Sequence, residues 1–248
     1  MRCVLCVSAL VLLSFTTMSP TSGAQLTGDQ IATDQGFLTI HPVHHASFLM
    51  QWNSKTVYVD PVGGAKPFAD LPKSDLVLVT HIHPDHFDPV TLEALVPAGA
   101  RPTIIAPATV ADKIPETLRS KTTVEVLANR EKTEAAGIDV EAVPAYNTTR
   151  GKEKFHPKGR DNGYVLTIGG KRVYIAGDTE DIAEMRALKG IDVAFLPMNL
   201  PYTMSVAKAA DAIRQFKPKI VYPYHYRSSD KTKADMDELK RLVGEHSG

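Results

Sequence analysis

The chain has 248 residues, 43% of them hydrophobic and 23% charged, enough for one large domain or two small ones. Lys and Arg together number 28, and so do Asp and Glu, which excludes the electrostatic footprint that grips a phosphate backbone or an anionic bilayer. A small-molecule substrate is therefore expected over nucleic acid, although a metal site can act on phosphodiesters without a basic face.

The chain begins as an export signal would: Arg2, then an apolar stretch from Cys3 to Phe15, then the small residues Thr21-Ser22-Gly23-Ala24. That stretch is short of the roughly 20 residues a bilayer span needs. Residues 1–24 accordingly read as a cleaved secretory signal peptide, and the mature protein is expected in the periplasm or outside the cell, with no stable membrane span. Cys3 and Cys6 are the two cysteines of the sequence, so the mature protein would have no disulfide, thiolate ligand or thiol nucleophile. Cys3-Val4-Leu5 lacks the small residue that normally precedes a lipidated cysteine.

Residues 25–248 read as one domain. A polar stretch runs to about Gly36. Beyond it, short apolar segments are punctuated by Gly, Pro and Asp, and predict strands at 37–41, 47–52, 56–60, 76–80, 103–106, 122–127, 138–144, 164–168, 172–176, 193–197 and 219–223. Gly169-Gly170 fits a two-residue hairpin turn. Helical spacing occurs at 89–95, 182–188, 204–216 and 231–243; in the third, Val206, Ala209, Ala210, Ile213 and Phe216 share a face. Early strands followed by strands alternating with helices suggest an α/β chain of two packed sheets with outer helices, its two halves open to pseudo-symmetry. The sequence leaves the oligomeric state open.

The chemistry concentrates in His81-Ile82-His83-Pro84-Asp85-His86, directly after the apolar run Leu76 to Thr80. Three imidazoles and a carboxylate in a loop just past a buried strand predict a metal site. Nitrogen and oxygen donors together suit zinc, iron, manganese or nickel better than calcium or magnesium.

The run H-x-H-x-D-H after an apolar strand resembles the hallmark of the metallo-β-lactamase superfamily. Further elements follow in order: Asp60 ends one apolar strand, Asp178 follows another in Gly177-Asp178-Thr179, and His225 follows a third. The likeness spans roughly Thr39 to His225. It implies a four-layer αββα sandwich (α/β, or α+β), two mixed sheets flanked by helices, with two divalent metal ions at one edge, zinc first and manganese, iron or nickel as alternatives. It further implies that His81 and His83 hold the first metal with a third histidine, that Asp85, His86 and His225 hold the second, and that Asp178 bridges them. The nucleophile would be a metal-held hydroxide oriented by Asp85, the catalytic residue, which could take its proton.

One position departs from the pattern. Where the third histidine is expected, Val143-Pro144-Ala145-Tyr146 leads to Asn147. His156 is expected to fold back into the role, with Asn147 or a vacant, water-filled position as alternatives. Asp60 is expected to hydrogen-bond the ligand loop, since such outer carboxylates fix imidazole tautomers. The segment His44-His45-Ala46-Ser47 resembles the ascorbate-phosphate-lactonase-like and phospholipase-D-like branches, where His45 either approaches the site or holds a loop. Tyr146, Tyr202, Tyr224 and Tyr226 are read as core packing before substrate contact. The resulting expectation is a hydrolase of a lactone, amide or phosphodiester with little β-lactam turnover. The alternative is a non-hydrolytic or degenerate metal- or ligand-binding member of the same fold.

Overall fold

The structure, a computed structural model, describes residues 26–228 and 230–244; the signal-peptide reading of residues 1–24 lies outside them. Alternation along single strands explains the layers. In β4 (Lys55–Val59) and β5 (Leu76–Leu78), Val57, Val59, Leu76 and Leu78 face one core, while Tyr58 and Val77 face another. In β11 (Lys171–Ile175) and β12 (Val193–Pro197), Val173, Ile175, Val193 and Phe195 join the first core, and Tyr174, Ala194 and Leu196 a third. Strands buried on both faces show no polar alternation, which is why they appear in the sequence as plain apolar runs.

The central core therefore lies between two sheets, and the outer cores lie under helices. The first sheet runs in chain order: β1 (Asp29–Thr33), β2 (Gly36–His44), β3 (Ser47–Trp52), β4, β5, β6 (Thr103–Ala106) and β7 (Thr123–Val126). The second runs from β8 (Lys132–Ala135) through β9 (Ile138–Ala145), β10 (Asp161–Ile168), β11 and β12 to β13 (Ile220–Tyr224). Each opens with four antiparallel strands and continues through parallel crossovers. Short helices α1 (Pro89–Leu95), α2 (Ala108–Ala111) and α3 (Glu116–Arg119) cover the first sheet. The second is covered by α4 (Ala183–Arg186), α5 (Val206–Phe216) and α6 (Met236–Gly244). The architecture is the four-layer sandwich of two mixed sheets flanked by helices.

Gly169 and Gly170 both have positive φ, 52° and 76°, and join β10 to β11 at Ile168 and Lys171. That is the two-residue turn whose twist suits a hairpin. Two strands, β1 and β8, differ from the sequence reading, which took the first as a polar stretch. Both are edge strands with one neighbour and mostly exposed side chains. Such a strand carries no apolar signature. The last helix begins at Met236, later than residue 231, because the segment before it forms a bridge between Arg227 and Lys233.

Candidate metal centre

The site lies where strand ends of both sheets meet. The loop after β5 carries His81, His83, Asp85 and His86, and the amides of His86 and Phe87 both donate to the His83 carbonyl, curling the loop tightly. Thr80 ties it inward: its carbonyl accepts from the Asn162 amide at 3.0 Å, and the Val79 carbonyl accepts from the Tyr164 hydroxyl at 2.8 Å. Asp178 follows β11 and His225 follows β13. Positive φ at Asp60 (43°), Gly177 (66°) and His225 (45°) turns the backbone sharply at these ends, a conformation that costs a non-glycine residue about 1–3 kcal/mol and collects at functional sites. Gly177 has no substitute, since a Cβ there would lie 2.8 Å from the Asn162 carbonyl oxygen.

Three groups of metal-competent atoms result, each with ligand atoms within 4.8 Å of one another: His81 with His83 and His156, His81 with His86 and Asp178, and His45 with Asp85 and His225. Asp178 stands among them. Its Oδ1 is 3.4 Å from His86 Nε2, and its Oδ2 is 3.5 Å from His156 Nε2 and 3.6 Å from His225 Nε2. Asp85 is more open, with 48% of its side chain exposed, and its Oδ2 reaches His225 Nε2 at 3.2 Å and His45 Nε2 at 3.4 Å. The rings of His45 and His225 are 4.0 Å apart.

Hydrogen bonds hold the centre from outside at Asp60, Thr80 and Glu180. Asp60, fully buried, accepts from the Thr80 amide and the Thr80 hydroxyl, each at 2.7 Å, and its Oδ2 is 2.7 Å from His86 Nδ1. The Thr80 hydroxyl also lies 3.0 Å from His81 Nδ1. The Asn147 side-chain oxygen is buried without a hydrogen bond among the described residues, and the side-chain nitrogen is 3.3 Å from His156 Nδ1. That nitrogen donates to the Lys152 and Tyr202 carbonyls and the Asn147 amide to the His156 carbonyl at 2.8 Å, closing the loop that returns His156 to His81 and His83. Glu180 anchors that loop from below. It accepts from the Thr148 and Thr149 amides and from both hydroxyls at 2.7 to 3.1 Å, with Lys152 and Lys208 beside it.

By contrast, the inner face is short of partners. His86 Nε2, His156 Nε2 and Asp178 Oδ1 are buried without a hydrogen bond among the described residues. Buried polar atoms rarely stay unpaired, and here they point at one another. Burial, with neighbouring histidines, holds His81 well below its usual pKa; burial takes His156 down to about 4. Both are thus neutral, the form in which imidazole binds metal. Burial also opposes charge on His86, but the Asp178 and Asp60 carboxylates overcome it and raise its pKa to about 9. Burial likewise works against charge on Asp85, yet bonds from His225 and His45 hold it far below the carboxylate range. The carboxylates favour positive charge in the site, which a bound cation would supply. Donor set, convergence and orphaned atoms together fit a metal pair.

Residues 39–225 match the β-lactamase superfamily domain. The chain belongs to the metallo-β-lactamase superfamily. Within it the chain is a metal-dependent hydrolase: it is 36% identical over 210 residues to a UPF0173 metal-dependent hydrolase of Pyrococcus abyssi, covering 81% of this chain and 90% of that one. A solved structure from Parabacteroides distasonis superposes with a TM-score of 0.76 at 44% identity, over 88% of this chain and 94% of the other. A metallo hydrolase from Ignicoccus hospitalis shares the fold at a TM-score of 0.68 and 24% identity, over 84% and 91%.

His81, His83, Asp85, His86, His156, Asp178 and His225 stand together, and Asp60, His45 and Asn147 are each one contact from them. Thr80 and Glu180 were missed. Thr80 precedes the histidine run and Glu180 lies two residues past Asp178, so proximity to the motifs was the available signal; their contacts across the fold left none.

Proposed function

We propose that the hydrolase works with two divalent metal ions, zinc first, on a lactone, amide or phosphodiester. The observation that carries this reading is the convergence of seven side chains whose ligand atoms face one another, with the outer nitrogens of His81 and His86 held by Thr80 and Asp60. His81 Nε2, His83 Nδ1 and His156 Nε2 would hold one ion, and His86 Nε2, Asp85 and His225 Nε2 the other, with Asp178 between. When bound, such a pair supplies Lewis-acid polarisation of the scissile bond and a water acidified toward pKa 7.

The chain's own groups do the remainder. Asp85, half exposed and ionised, can orient the attacking water and accept its proton. His45, 3.4 Å from Asp85, is placed to pass a proton to the leaving group. Asp60 and Thr80 keep the imidazoles from rotating. Return of His156 to the place vacated by Asn147 supports an intact catalytic site over a degenerate one. The short apolar stretch after Arg2, followed by small residues at 21–24, supports export, to the periplasm or beyond. Metal analysis of purified protein, with turnover measured over lactones, β-lactams and phosphodiesters, tests the reading. About two metal equivalents and metal-dependent turnover of a lactone or phosphodiester are expected; substoichiometric metal with no turnover on any class would overturn it.

A further inference from the structure

Beside the metal centre, a cavity of about 510 Å³ opens between β2 and β3 of one sheet and β12 and β13 of the other. Ile40, Val43, Phe48, Phe195, Tyr222 and Tyr224 form much of its wall. The rings are continuous: Phe48 and Phe195 stack at 4.1 Å, and Phe195 and Tyr222 at 5.1 Å. Two of the wall's polar groups are already engaged: the Tyr222 hydroxyl donates to Asp29 at 2.7 Å, and the Ser47 hydroxyl donates to the Asp60 carbonyl. A wall largely of rings and aliphatic carbon favours apolar matter.

The cavity reaches the reacting centre. His44, His45 and Tyr226 line it and also line an adjoining cavity of about 390 Å³ bounded by Arg227. His45 is the ring packed on His225 and bonded to Asp85. Arg227 is exposed and makes no ion pair with the described residues. A molecule held beside His45 thus has apolar space in one cavity and the Arg227 cation at the edge of the other.

We propose that the 510 Å³ cavity seats the aliphatic tail of the substrate, so that the compound hydrolysed is amphipathic, a polar hydrolysable group bearing a straight alkyl chain. This rests on the hydrolytic reading above and narrows it. Against the rings and aliphatic carbon of that wall, each added methylene leaves water.

The test is calorimetric titration of the full chain, zinc-loaded and after chelation, with butanoate, hexanoate, octanoate and decanoate. Affinity is expected to rise about threefold to fourfold per methylene, the ratio equivalent to about 0.8 kcal/mol. Val43→Trp, which fills the wall, is expected to flatten the series. Should that variant not fold, the Phe195 and Tyr222 ring resonances of the unaltered protein decide: they shift on adding decanoate if the tail sits there. A flat series overturns the proposal, including the case where the chain's own first residues occupy the cavity. So does a rising series that leaves both rings unmoved or a folded Val43→Trp unaffected. Because the readout is binding, absence of metal or turnover would defeat the hydrolytic reading while the chain-length series still judged the cavity.

Discussion

In the first sheet β4, and in the second β11, occupy the same place, the last antiparallel strand before the parallel crossovers, and each leads to a buried aspartate. Asp60 spends both oxygens on Thr80 and His86 and is left with nothing unsatisfied. Asp178 keeps an oxygen without a partner and faces three imidazoles at 3.4 to 3.6 Å. Two carboxylates in equivalent positions have thus taken complementary work: one holds the ligands, the other waits for what they hold. The difference comes from surroundings, since Thr80 supplies Asp60 with two donors and Gly177 leads to Asp178 with none.

The comparison breaks most sharply at Asp178. Asp178→Asn is expected to lose bound metal and to cut turnover on the order of 10³-fold, read by metal analysis and steady-state rates; retained metal with unaltered rates would erase the contrast. Asp60→Asn should behave differently, weakening metal affinity about 10–100-fold while both equivalents still load at excess metal. Should it abolish loading instead, Asp60 is more than a support. A smaller effect is expected at the loop. Glu180→Gln replaces an acceptor of four bonds with a group that donates on one side, costing about 1–3 kcal/mol in denaturant midpoint, and should weaken one metal equivalent selectively, the one nearest His156. Equal weakening of both would show that the loop serves the whole centre.

The smallest effect lies outside the centre. Burial works against charge on Asp192, but Lys219 at 2.8 Å and the Arg172 amide at 2.9 Å hold its pKa below the usual carboxylate range. A lowered carboxylate contributes stability above its unfolded pKa of about 4 and loses it as pH falls toward the folded value. Asp192→Asn is therefore expected to be less stable by under about 1 kcal/mol at pH 7, with the gap closing below pH 4. A gap that widens in acid would reverse the sign.

How much of this was legible follows the same division between inside and outside. Strands such as β5 and β12 bury both faces and announce themselves as apolar runs, and the ligands sit at their ends, so His81, His83, Asp85, His86, Asp178 and His225 could be read from position. β1 and β8 bury little and gave no signal. His156 had no strand to mark it, being returned by a loop whose ties are Asn147 and Glu180. Sequence spacing alone could not choose between His156 and Asn147, because that choice rests on where one backbone amide and one side-chain nitrogen donate. The aromatic cavity was equally hidden: Phe48, Phe195 and Tyr222 come from three strands and become a wall only when the sheets close.

The seam between the sheets carries a mechanical consequence. His81 to His86 belong to one sheet and Asp178 and His225 to the other, and the cysteines of the sequence stand at positions 3 and 6, so no disulfide can join these halves. A bound metal pair would be the chain's cross-link, closing loops of roughly a hundred residues with the same atoms that perform the reaction. Fold and catalyst would then share one fastening, and removal of metal would cost stability as well as turnover.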